Sequence, residues 1–555
     1  MGCVWLLDRH DTAALPFFGG CVAVANLSSS GVFFYFPLFL PFFPPRMHSE
    51  ECYFVEQNTP TKTTMTSNNK QNGHKENACT AYPFKVKREM YREQRQRLAA
   101  ALRSSKDATH AAFLQGGSEV PVNSSDINYL FWQESYFAYL FGCDIPDSFG
   151  AVLADGKGLL FIPRYPISYA VWMGELPTPE TVKLATGLEE VYYADEIEAA
   201  LTSKGVQTVE VLDGVNSDSG LHVLTAKLPE GSKVKISNKW LFGVLTQQRC
   251  HKTDLEAELL QYVCRVSSEA HIHVMQHCKP GMSQHHLEST FLHYVYYHGG
   301  CRKVAYTCIC GTGHHGAVLH YPNNDAPIED GSMALLDMGG HYMGYASDIT
   351  CSFPVNGKFT EDQRIIYNAV LDAHDSVMRQ LKPGVNWVDM HKLALRVMCE
   401  HLVRAGILLG DLDTIMRKRV MGLFQPHGLG HLMGMDVHDV GGYLEGCPPR
   451  PEESDCCKLR MARVLEKGFC LTVEPGCYIN RALLTDAFQN PEFKPHLNEA
   501  KLRSLWNFGG VRIESDVLIT ETGAINMTLV PRTVEEVEKT MAGAPFSREP
   551  EVFNH

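Results

Sequence analysis

Four carboxylates and one imidazole are the side chains whose types and contexts best suit chemistry in this sequence. They stand in five short motifs: Leu-Leu-Asp337-Met-Gly-Gly, Ser-Asp348-Ile-Thr, Gly-Leu-Gly-His431, Thr-Val-Glu474-Pro-Gly and Val-Arg-Ile-Glu514. An oxygen-rich set with a single nitrogen suits divalent manganese, cobalt or zinc better than it suits a thiolate zinc site. Four negative charges balance two such ions, and burying them without cations would be very costly. The sequence therefore predicts a centre with two divalent metal ions.

The elements that must position these side chains are the ends of β-strands. Asp337 follows an apolar pair and Asp348 precedes an isoleucine, with glycines between them. A hairpin with this pattern would bring both carboxylates to one end of a sheet. Glu474 and Glu514 each follow a run rich in β-branched residues. We therefore expect both glutamates at strand ends that face a common cleft.

A short pattern occurs twice in the second half of the chain. Ala270-His271, Val274-Met275 and Lys279-Pro280-Gly281 recur as Ala373-His374, Val377-Met378 and Lys382-Pro383-Gly384, each position 103 residues later. Each copy reads as the end of one helix, a Pro-Gly break and the start of another. Two copies are too few for a solenoid. We therefore expect a domain built from two α/β halves about a pseudo-two-fold axis.

Composition narrows the classes of partner and compartment. A net charge of −13 argues against a nucleic-acid surface. The apolar stretch at 31–45 is broken by prolines and too short for a membrane-spanning helix, so no membrane partner is expected. Eighteen scattered cysteines without a Cys-x-x-Cys pair indicate reduced thiols, which predicts a cytoplasmic protein.

The 555 residues divide into four segments. Residues 1–84 contain the interrupted apolar stretch and a polar, turn-rich run, which indicates a disordered or artefactual extension. Residues 85–248 open with an amphipathic pattern and continue with short β-rich and helical runs, which predicts an amino-terminal α/β domain. Residues 249–545 hold every ligand motif and form the predicted catalytic domain, and 546–555 form a tail.

These motifs, in this order, resemble the pita-bread metallopeptidase family, which includes methionine aminopeptidase, aminopeptidase P and prolidase. The resemblance is strongest to the prolidase branch and covers residues 85–545, with its most specific stretches at 306–311, 348–359 and 427–443. It implies an α/β (α+β) fold in which an amino-terminal α/β domain precedes a pseudo-two-fold pita-bread domain. It also implies hydrolysis of Xaa-Pro dipeptides with release of free proline, and a homodimer whose interface includes the amino-terminal domain.

The resemblance assigns the ligands to two metal sites. Asp337 would chelate one ion through both oxygens, Asp348 and Glu514 would bridge the pair, and His431 and Glu474 would complete the second site. Manganese is the usual ion of the family, and zinc or cobalt is compatible with the same ligands. A water that bridges two ions has a lowered pKa. We therefore expect a metal-bridged hydroxide as the nucleophile, with Glu474 as its general base.

Five further side chains complete the predicted site. The resemblance makes His320 and His438 catalytic groups that bond the substrate carbonyl or the developing oxyanion. Arg460 would bind the free carboxylate of the dipeptide through a bidentate contact. Tyr306 and Arg512 would line the substrate side of the cleft. A carboxylate clamp of this kind would let the site require a dipeptide and reject longer peptides.

Two other functions share these motifs. Aminopeptidase P uses the same ligands to remove an amino-terminal residue before proline from longer peptides, but Arg460 and the run that begins at Tyr306 favour the dipeptidase. A non-catalytic pita-bread binding module would have lost its ligands, and all five are present here. The chain departs from the family's pattern at His314, His315 and His341, where acidic or amide residues are usual.

Overall fold

Helices and strands alternate along residues 84–554, which are the residues described by the computed structural model. The α-helices there are α1 (Arg88–Ser105), α2 (Ser135–Phe141), α3 (Ala170–Met173), α4 (Pro179–Thr186), α5 (Ile197–Ser203), α6 (Leu241–Cys250), α7 (Asp254–His277), α8 (Gln284–Tyr297), α9 (Glu361–Met378), α10 (Trp387–Arg404), α11 (Leu412–Arg417), α12 (Arg481–Ala487), α13 (Glu499–Ser504) and α14 (Val534–Met541). Short 3-10 helices lie at Ile167–Tyr169, Ala194–Glu196, Gly313–Ala317, Val420–Leu423 and Lys494–His496.

The strands of the same region build five sheets. They are β1 (His110–Gln115), β2 (Phe149–Leu153), β3 (Gly158–Ile162), β4 (Glu190–Tyr193), β5 (Thr208–Glu210), β6 (Lys235–Ser237), β7 (Lys303–Val304), β8 (Ile309–Thr312), β9 (Met333–Asp337), β10 (Gly340–Tyr342), β11 (Tyr345–Ala346), β12 (Thr350–Pro354), β13 (Cys470–Val473), β14 (Gly476–Tyr478), β15 (Gly510–Arg512), β16 (Ser515–Ile519), β17 (Gly523–Asn526) and β18 (Glu551–Asn554).

The amino-terminal part is a six-stranded mixed sheet with the order β4-β3-β2-β1-β5-β6. Strand β2 runs antiparallel to both neighbours, and the other three pairings are parallel. Neighbouring side chains on β1 and β3 belong to two separate hydrophobic cores. Leu114 and Leu160 pack in one core, and Phe113 and Phe161 pack in the other. Successive strand residues point to opposite faces, so this sheet is buried on both sides, as the predicted α/β domain requires.

Two helical hairpins form the predicted repeat of the catalytic domain. Helices α7 and α8 are joined across the first Pro-Gly break, and α9 and α10 across the second. Thr253 and Glu256 form a capping box at the start of α7, and Thr360 and Gln363 form one at the start of α9. These reciprocal bonds satisfy backbone groups that the first turn leaves unpaired. The helix–break–helix prediction is confirmed in both copies.

Each repeat also buries one histidine against a strand end. His271 Nε2 lies 2.9 Å from the carbonyl oxygen of Met338, just beyond β9. Its counterpart His374 has Nε2 3.0 Å from Ser515 Oγ, at the start of β16. Both side chains are almost fully buried. The two halves therefore attach their long helices to the sheets in the same way.

The β9–β12 connection is more elaborate than the hairpin expected from sequence. The two strands are antiparallel neighbours, with Asp337 opposite Thr350. The chain between them folds into a second ribbon, β10–β11. Gly339 lies so close to this return path that a Cβ there would stand 1.8 Å from the carbonyl oxygen of Ser347. Only glycine fits at this position. The tight return path and the antiparallel pairing of β9 with β12 together keep Asp337 and Asp348 at the same end of the sheet.

The boundaries differ in detail from those expected. The division at 248/249 falls inside α6, since the first catalytic helix begins only at Asp254. The segment 546–555, expected as a tail, contributes β18, which pairs with β17. The expectation for 1–84 concerns residues outside the described range, apart from residue 84. Among the described residues no helix has the length and apolar character needed to cross a membrane.

Candidate metal centre and substrate cleft

The five predicted ligands meet at one place, four of them near strand ends and His431 in a loop. Their donor atoms form overlapping groups in which the atoms of each group lie within 4.8 Å of one another: Asp337 with Asp348 and Glu514, and His431 with Glu474 and Glu514. Asp337 ends β9, Glu474 follows β13 and Glu514 lies between β15 and β16. Glu514 belongs to both groups. The arrangement brings two adjacent clusters of carboxylate and imidazole donors together, a donor set that fits two divalent ions.

Asp337 is held from two sides. Tyr306 donates from its hydroxyl to Oδ1 at 2.5 Å, and Arg512 Nη2 donates to Oδ2 at 2.6 Å. The remaining Arg512 nitrogens donate to Thr350 Oγ1 at 3.0 Å and to the Tyr478 hydroxyl at 2.7 Å. Arg512 therefore supports a ligand from behind, and a direct contact of Arg512 or Tyr306 with substrate stays a prediction.

His431 presents one nitrogen to the carboxylates. Its Nδ1 lies 3.0 Å from the carbonyl oxygen of Leu432, which can only accept a hydrogen bond. Nε2 then faces Asp348 Oδ2 at 3.3 Å and Glu474 Oε1 at 3.7 Å. Gly430 makes this approach possible, because a Cβ there would stand 2.0 Å from the carbonyl oxygen of Thr472. A fixed tautomer of this kind is typical of a metal-binding histidine.

The electrostatics of the cluster favour bound cations. Burial, then the charges of Asp348, Glu474 and Asp337, raises the pKa of Glu514 well above its ordinary value. Burial also raises the pKa of Glu474 to about 7 and that of Asp337 to about 6, although the positive charge of Arg512 works against both shifts. Like charges crowded in a buried site resist ionisation together. Divalent cations would relieve this repulsion, so the residues fit the predicted ions.

Asp348 and His431 shift in the opposite sense. Burial disfavours the charged form of Asp348, but the hydrogen bond and charge of His431, together with a hydrogen bond from Tyr306, outweigh it and lower the pKa of the carboxyl. Burial likewise disfavours imidazolium, but the bond to Asp348 and the charge of Glu474 outweigh it and raise the pKa of His431 to about 9. The imidazole thus already experiences a strong negative field at the position of the predicted second ion.

Two neutral imidazoles flank this centre. The rings of His438 and His431 are 4.5 Å apart and perpendicular. Burial, followed by the charges of His431 and Arg460, lowers the pKa of His438 to about 3. Partial removal of the ring from water, followed by the charges of Arg512 and Arg460, lowers the pKa of His320, although the residue as a whole keeps much of its surface in contact with solvent. Both rings are therefore neutral at pH 7, which suits groups that bond a carbonyl oxygen.

The loop that carries His438 is anchored to the amino-terminal side of the catalytic domain. Arg249, at the end of α6, donates to Asp436 at 2.8 Å and to Asp439 at 2.7 Å. Lys252 Nζ adds a 3.1 Å bond to Asp439. These three hydrogen bonds, from two cationic side chains, hold the residues on either side of His438. Asp436 and Asp439 of the Asp-Val-His-Asp motif thus help to fix the position of His438.

Several supporting residues were not anticipated from the sequence. Thr350 donates to Glu514 Oε2 at 2.6 Å, and Asp516 accepts the Asp348 backbone N–H at 3.0 Å and the Cys264 thiol at 3.1 Å. Thr350 and Asp516 each lie two residues after a ligand, on the same strand face. That alternation is the signal by which sequence reasoning could have found them.

The departures from the family's pattern have structural explanations. His341 is buried with its ring 4.4 Å from that of Trp132, and burial lowers the pKa of His341 to about 3. His315 stacks on Tyr321 at 4.6 Å. His314 is exposed beside it. None of the three belongs to a metal-binding group of the described residues.

Comparison with known proteins identifies the family. The sequence profile of metallopeptidase family M24 matches residues 258–521, and that of the aminopeptidase P N-terminal domain matches residues 91–210. Xaa-Pro dipeptidases of Mus musculus and Homo sapiens are each 46% identical over 476 residues, which cover 84% of this chain and 96% of theirs. The chain therefore belongs to metallopeptidase family M24, the pita-bread metallopeptidases. Within that family it falls with the prolidase branch.

A solved structure confirms the expected fold. Zinc-substituted aminopeptidase P of E. coli, determined in complex with product, is 30% identical with a TM-score of 0.67. The match covers 82% of this chain and 98% of that one. The α/β (α+β) architecture, with an amino-terminal domain followed by a pita-bread domain, is thus the one predicted.

Proposed function

We propose that this chain is an Xaa-Pro dipeptidase, which hydrolyses the peptide bond before a carboxy-terminal proline and releases free proline. The observation that carries this proposal is one arrangement: the five side chains predicted to bind metal converge near two neutral imidazoles and the guanidinium of Arg460. The Xaa-Pro dipeptidases at 46% identity support the same substrate class.

The proposed roles follow from these positions. Asp337, Asp348, His431, Glu474 and Glu514 would hold two divalent ions, which supply a nucleophile from water near neutral pH and positive charge opposite the developing oxyanion. Glu474, with its raised pKa, would accept a proton from the attacking water. His320 and His438 would donate hydrogen bonds to the carbonyl oxygen as it gains charge.

Proline makes the final proton transfer necessary. Its nitrogen is a tertiary amide nitrogen without an N–H, and like any peptide nitrogen it leaves as an amine only when it gains a proton as the C–N bond breaks. Glu474 would deliver the proton taken from the water, which returns the carboxylate to its starting state. Arg460 would meanwhile bind the carboxylate of the departing proline through charge-assisted hydrogen bonds. Tyr306 and Arg512 keep Asp337 in position throughout.

Metal identity, assembly and compartment belong to the same proposal. We propose manganese as the working ion, with zinc and cobalt as competent substitutes at a site whose ligands are mostly oxygen atoms.

We also propose a homodimer, supported by five large apolar side chains exposed within one short segment: Ile167, Tyr169, Val171, Trp172 and Met173. A cytoplasmic setting is supported by the fourteen cysteines of the described region, none of which is in a disulfide.

Cleavage of two peptides, measured by release of their amino-terminal glycine, tests the function, because an aminopeptidase P would leave the proline bound in Pro-Ala. Metal-stripped protein is assayed with Gly-Pro and with Gly-Pro-Ala, with and without added Mn²⁺. Manganese-dependent cleavage of Gly-Pro alone is expected, because Arg460 is placed to bind a carboxylate directly after proline. Cleavage mainly of the tripeptide would instead indicate an aminopeptidase P, and cleavage of neither would indicate a binding module.

A further inference from the structure

A small hairpin of the amino-terminal domain reaches the cleft of the catalytic domain. We call residues 214–223 the amino-terminal hairpin; its two sides meet at the bridge between Val215 and His222. At its tip, Asn216 Oδ1 accepts the backbone N–H groups of Asp218 at 2.9 Å and Ser219 at 3.1 Å. This turn fixes the backbone of Asp218 and directs its side chain to the catalytic domain.

The Asp218 carboxylate joins two arginines. Its Oδ2 lies 3.3 Å from Arg460 Nη1, and its Oδ1 lies 3.4 Å from Arg450 Nη2. Only 12% of the Asp218 side chain is exposed, which weakens the screening that makes surface ion pairs ineffective. Within the described residues, Asp218 is the one acidic partner within 4.0 Å of Arg460.

The backbone at Arg460 is held separately from its guanidinium. The carbonyl oxygen of Leu459 accepts hydrogen bonds from the Tyr443 hydroxyl at 2.8 Å and from Arg450. A Cβ on Gly442 would stand 2.0 Å from the carbonyl oxygen of Arg460, so these segments pack backbone to backbone. The main chain is thus fixed by the catalytic domain, whereas the guanidinium is held by the amino-terminal domain.

The charges leave room for one more anion. Arg450 and Arg460 together exceed Asp218 by one positive charge, which matches the single free carboxylate of a dipeptide. Asp218 engages Nη1 of Arg460 and leaves the edge formed by Nε and Nη2 for a bidentate contact. The guanidinium is also close enough to His320 and His438 to affect both imidazoles electrostatically.

We propose that Asp218 is a positioning residue that holds the Arg460 guanidinium with its Nε–Nη2 edge toward the carboxylate of the dipeptide. The inference rests on the proposed role of Arg460 as the carboxylate clamp. It makes the amino-terminal domain part of substrate selection, since a dipeptide is recognised by an arginine that this domain orients.

Substitution Asp218→Asn tests the proposal by separating KM from kcat. We expect KM for Gly-Pro to rise about 5- to 10-fold, the range of one weakened charge-assisted hydrogen bond, with kcat changed by less than about twofold. Gly-prolinamide, which lacks the carboxylate, should show no change in KM. Asp218→Glu, which keeps the charge, should restore most of the affinity for Gly-Pro.

Asp213→Asn is the matched control. Asp213 is an exposed aspartate at the base of the same hairpin, and its carboxylate accepts a 2.6 Å bond from Asn238. Its substitution should leave both substrates unaffected. An equal rise in KM for Gly-Pro and for the amide in Asp218→Asn would overturn the proposal, because the effect would then be general damage to the cleft.

A double substitution decides whether Asp218 acts through Arg460. In an Arg460→Gln background, Asp218→Asn should raise KM no further; an additional rise would overturn the proposal. A fall in KM for Asp218→Asn alone would also overturn it, because the carboxylate would then compete with substrate. Calorimetry on the metal-free proteins measures the dissociation constant of Gly-Pro for the wild type and the variants in the absence of turnover. If the wild-type protein neither binds nor cleaves Gly-Pro, the proposed function and the proposed role of Asp218 both fail. If the wild-type protein cleaves Gly-Pro and Asp218→Asn has the same KM, the proposed function stands and the role of Asp218 fails.

Discussion

The carboxylates predicted to bind metal are oriented by the residues behind them. Asp337 receives one hydrogen bond from Tyr306 and one from Arg512, and Glu514 receives one from Thr350. Such outer partners set the direction and basicity of metal ligands, and their loss typically costs about 10- to 100-fold in metal affinity or activity. We therefore expect these supporting residues to contribute to metal affinity alongside the predicted ligands.

Arg512→Lys tests this support directly. A lysine keeps the positive charge but cannot bond Asp337, Thr350 and Tyr478 at once. We expect metal affinity or kcat/KM to fall about 10- to 100-fold, measured by metal content after dialysis and by proline release. Arg481→Lys is the control, since Arg481 is exposed and bonds Trp506 and Asn507 away from the centre. Equal losses in both variants would contradict the assigned role.

Sequence motifs identified the five side chains that the structure brings together, but not the long-range ion pairs around them. Each ligand lies in a local pattern of glycines and apolar residues, which can be read without the fold. The contact between Asp218 and Arg450 joins residues 232 positions apart, and Arg249 reaches Asp439 across 190. No local pattern encodes such pairs, because they exist only when separate elements meet.

At the scale of elements, close backbone packing holds the strand ends together. Gly339 and Gly430 each lie under a neighbouring carbonyl oxygen, one near each half of the ligand set. The repeat and the strand-end positions were predictable from apolar periodicity and Pro-Gly breaks. The extra ribbon β10–β11 was not, because two short strands leave little periodic signal.

Gly339→Ala should disrupt the end of β9. Its Cβ would meet the carbonyl oxygen of Ser347 at 1.8 Å, so the backbone must move. We expect a loss of about 3 kcal/mol in the free energy of unfolding and a large fall in activity, measured by denaturant unfolding and proline release. In contrast, Gly243→Ala in the exposed part of α6 meets nothing within 4 Å and should stabilise by about 0.5–1 kcal/mol. A neutral effect at Gly339 would contradict the close packing.

The buried His271 side chain on α7 should make the free energy of unfolding depend on pH. Burial, then the charge of Arg532, lowers the pKa of His271 from 6.5 to about 4. The folded state therefore favours the neutral ring, and its contribution is present above pH 6.5 and lost as pH falls toward 4. His271→Gln should reduce the loss of stability across this window by up to about 3 kcal/mol. Denaturant unfolding at pH 7 and pH 4.5 measures this loss of stability. His277→Gln is the control, because His277 is exposed, and it should follow the wild type. The same loss of stability in the wild type, His271→Gln and His277→Gln would refute the prediction.

At the scale of the whole molecule, one exposed apolar segment stands out. Ile167, Val171 and Trp172 are 85%, 80% and 82% exposed within seven residues of the amino-terminal domain. Exposed apolar patches on a folded domain commonly mark association surfaces. The segment therefore supports the proposed homodimer, and we expect its contact to lie in the domain that precedes the candidate metal centre.

Trp172→Glu should weaken the dimer. Burying a carboxylate in an apolar contact is costly, so we expect a shift toward monomer in sedimentation velocity at micromolar concentration. Leu184→Glu is the control, because Leu184 is 74% exposed on α4 outside the segment. A wild-type monomer, or an unchanged dimer in Trp172→Glu, would contradict this assignment.

The predicted ligands come from both halves of the pita-bread domain. Asp337 and Asp348 belong to the first half, and His431, Glu474 and Glu514 to the second. Ions that bind this arrangement and not the unfolded chain stabilise it by about 1.4 kcal/mol for each tenfold excess over their dissociation constant. Transient opening, on which proteolytic degradation depends, would then become rarer as the ion supply rises. The availability of divalent metal would thus determine the lifetime of the chain in the cell as well as its rate of turnover.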